Sequence, residues 1–158
     1  MDVRTAELVR SMASAPRSPR GLGSLRDDLL RVRASLGKRG ERAPLLQLAG
    51  ALLDWAFDGS AAVRAQALVE IAELLAQDLG HREGPMRLYE LALGLAPRDF
   101  SITSRARKVL GKDALPRVEW LYLVQSRALE RLPNASEADR TQALRRLADL
   151  RAELGSVS

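Results

Sequence analysis

The stretch Asp58-Gly59-Ser60-Ala61-Ala62-Val63-Arg64-Ala65-Gln66-Ala67 closes one apolar run and opens the next, and its skeleton recurs twice downstream. Asp58, Ser60 and Arg64 have the same spacing as Asp99, Ser101 and Arg105, and as Asn134, Ser136 and Arg140. In each case an Asp or Asn comes first, a Ser two residues later and an Arg six residues later; the arginines are 41 and then 35 residues apart. An Asx-x-Ser turn ahead of an apolar run is a helix-start signal, because the short polar side chains accept hydrogen bonds from backbone N–H groups that the first turn leaves without partners. Beyond the turn, Arg64-Ala-Gln-Ala-Leu68 matches Arg140-Thr-Gln-Ala-Leu144, and upstream Pro44 and Pro85 open their runs 41 residues apart. The repeating unit is a pair of helices joined by a short turn.

Outward from that turn, apolar residues at helical spacing divide the chain into about eight helices. A short first helix covers residues 3–12, and Pro16, Pro19, Gly21 and Gly23 follow it. The second begins at a capping pair, Ser24 and Asp27, carries the stripe Leu25, Leu29, Val32 and Leu36, and ends at Gly37 and Gly40. The third, opened by Pro44, is apolar nearly all round (Leu45, Leu46, Leu48, Leu52, Leu53, Trp55, Phe57) and is expected to be the central one. The fourth presents Val63, Ala67, Ile71, Leu74 and Leu75 and stops at Gly80; the fifth lies between Pro85 and Pro97; the sixth ends at Gly111. A seventh runs from Pro116 to Pro133, and the eighth, capped by Ser136 with Asp139, ends at Gly155. The organisation read from this is a cap with linkers over residues 1–43, three helical hairpins over 44–155, and a frayed tail at 156–158.

Composition narrows the chemistry. The 158 residues contain no cysteine and one histidine, His81, which excludes disulfides, thiolate metal sites and thiol nucleophiles. His81 follows the helix-ending Gly80 without a second ligand nearby and reads as a cap or solvated side chain. No apolar run reaches the ~18 residues that cross a bilayer. Asp2, Glu7, Asp27 and Asp28 argue against a transit peptide, so a cytoplasmic location is the expectation. The net charge of +5 has one origin: residues 43–158 hold fifteen bases and fifteen acids, whereas residues 17–42 hold eight bases against three acids. Those bases are Arg17, Arg20, Arg26, Arg31, Arg33, Lys38, Arg39 and Arg42. Only three of the 25 basic residues in the chain are lysines, an arginine skew that a G+C-rich genome also produces.

The segment from Asp58 to Ala67 resembles the HEAT repeat signature, in which an inter-helix Asp is followed by Val-Arg at the start of the second helix and a small residue three positions on. The resemblance covers residues 44–155 and implies an all-α fold, a short right-handed stack of antiparallel helical hairpins forming an α-solenoid, with repeats of about 40 residues. It further implies that Asp58, Asp99, Arg64, Arg105 and Arg140 form a structural ladder in which the Asp and Arg of neighbouring repeats pair. Ser104 and Asp139 stand where the family has Val, Asn134 stands for Asp, and the helix before Asn134 is long. Tetratricopeptide repeats are the runner-up, since Gly80, Tyr89, Ala92 and Pro97 fall at their spacings. Pro85 occupies a small-residue position of that pattern, and no 34-residue period recurs.

Two surfaces carry the functional expectation. In a HEAT-like stack the second helices line the concave side, where Gln66, Glu70, Glu73, Arg107, Gln142, Arg145 and Arg146 form a mixed-charge groove for a protein or peptide, with Trp120 an outward aromatic anchor. The second surface is the basic amphipathic segment 17–42, which suits nucleic acid or an anionic surface. Glu70/Glu73 and Glu130/Glu137 are spaced for acid–base work but read as solvated faces, and Gly21-Leu-Gly23-Ser24 lacks the strand and lysine of a phosphate loop. The expectation is a non-catalytic interaction module without cofactor or metal, acting alone, as a homo-oligomer or inside a larger complex. HEAT-like enzymes need a buried titrating carboxylate in a deep groove, which three repeats scarcely build.

Overall fold

The hydroxyl of Ser60 accepts from the N–H of Val63 at 3.3 Å, and that of Ser136 from the N–H of Asp139 at 3.1 Å, so two of the three recurring turns end in a side-chain N-cap. At the middle turn, Asp99 takes the N–H of Ser101 at 3.0 Å. The structure, a computed structural model, describes residues 43–57, 60–78, 80 and 83–157, and in addition Glu7, Arg10 and Asp27 as isolated helical positions. These residues form α1 (Ala43–Phe57), α2 (Ala61–Glu73), α3 (Glu83–Leu95), α4 (Ser101–Leu110), α5 (Leu115–Arg131) and α6 (Glu137–Val157). Beyond Glu73 the chain widens into a π-helical turn, Leu74–Asp78, and a single 3₁₀ turn, Lys112–Ala114, leads into α5. Among the described residues there is no strand, and no helix is long and apolar enough to cross a membrane.

The stops follow the chain's punctuation. Gly80 and Gly111 adopt φ of +69° and +79°, where a side chain is disfavoured. Leu132, pushed to extended geometry by Pro133, ends α5. Gly155 does not end α6, which continues to Val157; its φ is not positive, so nothing turns the chain there. Apart from Glu7, Arg10 and Asp27, the two expected helices before α1 and the basic segment 17–42 lie outside the described residues, as do the turn residue Asp58 and His81.

The central helix is α2, not α1. It packs on α1 and α3 and also touches α4, and it buries Val63, Ala65, Ala67, Leu68, Val69, Ile71 and Ala72, followed by Leu74 at the start of the π-helical turn. α1 contributes Ala49, Leu52, Trp55 and Ala56 to that core but leaves Leu46, Leu53 and Phe57 exposed. Alanines at 65, 67 and 72 let neighbouring helices approach α2 from several sides, which its modest apolar pattern does not announce. A second, smaller cluster of Val118, Tyr122, Leu147 and Leu150 joins α5 to α6.

Side-chain pairs fix the helix directions. On α5 and α6, Glu119 pairs with Arg151, and the Leu129 carbonyl pairs with Arg140, so these helices run antiparallel. Between α3 and α5 the partners advance together, Glu83 with Arg117 and Glu90 with Trp120, so these two run parallel. α4 and α6 are likewise parallel, with Ser104 on Arg146 and Arg107 on Glu153.

Candidate functional site

The polar heart of the described structure is the guanidinium of Arg105. Projecting from α4 onto α2, it donates to Glu73 at 2.7 Å, Glu70 at 2.6 Å and Gln66 at 3.0 Å. Gln66 in turn donates to Asp99 at 2.9 Å, which closes the chain of contacts back to the turn before α4. Glu70 and Glu73, expected to face outward in a groove, are instead buried, with Glu70 only 1% exposed. Burial works against the charge of Arg105, but its hydrogen bond to Glu73 and the charges and bonds of Glu70 and Glu73 outweigh that cost, holding its pKa above the ordinary value. The acidic pair on α2 is therefore an ion-pair partner and not a solvated face.

The three arginines aligned by sequence divide into two roles. Arg64 donates to the carbonyl of Ala56 at 2.8 Å, and Arg140 to those of Leu129 and Leu132 at 3.4 and 3.2 Å. Both hold the end of the preceding helix, whose last carbonyls lack intrahelical partners. Arg105 does something else, and its structural counterpart is Arg146, 41 residues on. From α6, Arg146 reaches back to α4, donating to Thr103 at 2.8 Å and Ser104 at 2.7 Å, with its guanidinium over the rings of Phe100 and Tyr122 at 5.1 and 4.9 Å. Buried Gln125 completes this layer, donating to the carbonyls of Pro97 and Asp99 at 3.0 and 3.2 Å and accepting from Thr103 at 3.2 Å. Of the ladder expected from the sequence, any rung through Asp58 lies outside the described residues; Asp99 binds Gln66 and Ser101 and pairs with none of Arg64, Arg105 and Arg140.

Internal contacts thus occupy much of the expected groove. Gln66 and Arg146 are half-buried within the two layers, and Arg107 bonds Glu153, which holds its pKa above the ordinary value. Gln142 and Arg145 remain exposed on α6. Trp120 is 43% exposed, as an outward aromatic requires, and donates to Glu90 at 2.8 Å, while Trp55, Tyr89 and Tyr122 are buried.

What the sequence reading missed is a cleft where the end of α4 meets the start of α5 and the end of α6. It has a volume of about 530 Å³ and is lined by Ser104, Arg107, Lys108, Gly111, Lys112, Leu115 and Glu153. Glu153, the one carboxylate among its described lining residues, is bonded to Arg107, whereas Lys108 and Lys112 are exposed and form no ion pair with a described residue. Two of the chain's three lysines meet here. That scarcity, together with the four-residue spacing across Gly111, is the signal by which the sequence could have located the cleft.

No family model, no curated protein and no solved structure matches this chain. Among the described residues no group of three or more His, Cys, Asp or Glu is placed to hold a metal ion.

Proposed function

We propose that the chain is a non-catalytic interaction module, a short right-handed stack of HEAT-like helical hairpins, that takes an acidic segment of a protein partner in the cleft at the α4–α5–α6 junction. The stacking reading draws support from helix direction: α3 with α5 and α4 with α6 run parallel, while α5 and α6 run antiparallel, the pattern produced when successive hairpins are laid side by side.

The binding reading rests on one observation: Lys108 and Lys112 meet at the cleft and pair with no carboxylate among the described residues. Elsewhere several described cations that face a neighbouring helix have acids to pair with, such as Arg105 with Glu70, Arg117 with Glu83 and Arg151 with Glu119, while Arg146 and Arg64 are held by hydroxyls, rings or carbonyls. Two lysines beside the apolar side chain of Leu115 offer charge complementarity to an Asp- or Glu-containing segment and a seat for one apolar residue in it. The buried acids of α2 are both ion-paired with Arg105, which gives them a structural place in this reading.

A photo-crosslinking amino acid at position 104 of the cleft lining, with position 131 as the control, tests this in cell extract. The expected result is capture of a protein through an acid-rich peptide at 104 only, reduced at least tenfold by adding Lys108→Glu/Lys112→Glu in a chain of unchanged helicity. Capture of nucleic acid, or capture indifferent to the charge reversal, rejects the reading.

A further inference from the structure

The cleft at the α4–α5–α6 junction holds a third cation besides its two lysines. Ser104, Arg107, Lys108 and Gly111 lie at offsets of 0, 3, 4 and 7 residues along α4 and its cap, which places them on one helical face, and they form one wall of the cleft. Glu153 of α6 stands on another wall and bonds the Arg107 guanidinium, so this ion pair joins the two walls.

Given the cleft as a seat for an acidic segment, the reading on which this step depends, we infer that Arg107 is its third carboxylate-binding residue and that Glu153 is an internal competitor which a partner's carboxylate displaces. Glu153 is the one carboxylate among the described lining residues, and its bond to Arg107 shows which class of group that guanidinium accepts from across the cleft. The pair is open to exchange. Its side chains are 39% and 49% exposed, whereas Arg105 and its two acids are at most 15% exposed. An ion pair that water reaches is weak and readily replaced by an equivalent one; a shielded pair is not. Position agrees with this. Arg107 directly precedes Lys108, so a segment with several acids that engages the lysines also meets the guanidinium, whose planar fork binds a carboxylate through two parallel hydrogen bonds.

Selectivity follows from the competition. A lone acid pairs with Lys108 or Lys112 and leaves Glu153 in place, whereas a segment with several acids gains Arg107 only by expelling it. The internal carboxylate thus sets a threshold against weakly acidic segments. Expulsion also removes one of the ties between α6 and α4, and Arg146 on Thr103 and Ser104 continues to hold the two helices together. The cleft therefore opens at one wall without the loss of the stack.

A double-mutant cycle tests this on the full-length chain. The probe is a fluorescein-labelled peptide in which one leucine is flanked on each side by glutamates, and its affinity is read by anisotropy for the unsubstituted chain, Glu153→Gln, Arg107→Gln and the double variant. Glu153→Gln is expected to bind about fivefold tighter, the order of one exposed ion pair. With Arg107→Gln present, the same change is expected to give less than about twofold, because the gain passes through the freed guanidinium. Glu137→Gln, which removes an exposed acid at the other end of α6, is expected to leave the affinity unchanged and so controls for net charge. Lys108→Glu/Lys112→Glu tests the reading beneath: a peptide that does not bind, or that ignores this reversal, rejects the cleft as an acidic seat and the competition with it. A peptide that binds through the lysines, but whose affinity Glu153→Gln leaves unchanged or weakens, or tightens equally with Arg107 replaced, overturns the competition alone.

Discussion

Glu70 and Glu73 look in the sequence like the solvent side of a helix, three residues apart on a stretch rich in alanine. Their burial is decided by a residue 35 and 32 positions away, since Arg105 supplies the charge that makes it tolerable. Sequence reading had singled out Arg105 for its place after an Asp-x-Ser turn, yet grouped it with Arg64 and Arg140, which close their own hairpins instead. Local spacing identifies which residues recur; it does not say toward which neighbour a long side chain turns. The energetics are testable. Arg105→Met leaves two buried carboxylates without their cation and is expected to destabilise the fold by about 3–5 kcal/mol in urea titration, while adding Glu70→Met and Glu73→Met recovers most of the loss. A single-variant cost below about 1 kcal/mol would mean that the acids find water instead. Because the folded pKa of Arg105 is raised, its contribution is complete below the ordinary arginine value and is lost only as pH rises through the higher folded one. No loss from this group is therefore expected anywhere in the neutral or mildly alkaline range.

Helix boundaries were the most legible feature, because each depends on local chemistry: Ser60 and Ser136 as caps, Pro116 in the first turn of α5, Gly80 and Gly111 at positive φ. The rank of the helices was not legible. α1, rich in Leu with Trp55 and Phe57, reads as the core, but centrality depends on how many neighbours a helix can admit, and α2 with its small side chains admits more. The turn after α4 shows how one element positions the candidate site. Gly111, with φ +79° and ψ 179°, occupies a region that only glycine visits freely, and the chain's reversal there brings Lys112 beside Lys108 at the cleft. A Cβ at this position would meet nothing within 4 Å, so Gly111→Ala incurs a cost from backbone conformation alone. The expected loss is about 1–3 kcal/mol by thermal or urea unfolding, with weaker capture at the cleft. An unchanged midpoint would show that the α4–α5 connection adopts another geometry without penalty.

At the scale of the whole molecule, the two apolar clusters are unequal. The larger spans α1 to α4 and includes Leu121 of α5; the smaller holds α6 through Leu147 and Leu150 against Val118 and Tyr122. The repeats in the sequence suggest equivalent units, but they carry no information on cluster size, because that depends on which faces meet. Much of what ties α6 to the rest is ionic and at least partly exposed: Arg107 with Glu153, Arg151 with Glu119 at 3.1 Å, and Asp139 with Arg98 at 3.6 Å. Exposed pairs of this kind contribute about 0–1 kcal/mol each and are screened by salt, whereas the Arg105 layer and the apolar interior around α2 are shielded from it. Local opening should therefore begin at α6. Hydrogen exchange is expected to label amides of residues 140–155 well before those of 63–74, and raising the salt from about 0.05 to 1 M should accelerate the former while leaving the latter unchanged, since the Debye length falls to ~3 Å at 1 M. If both segments exchange together at either salt concentration, the two clusters unfold as one cooperative unit, and Arg146 with Gln125 couples them more tightly than their separate apolar contacts imply.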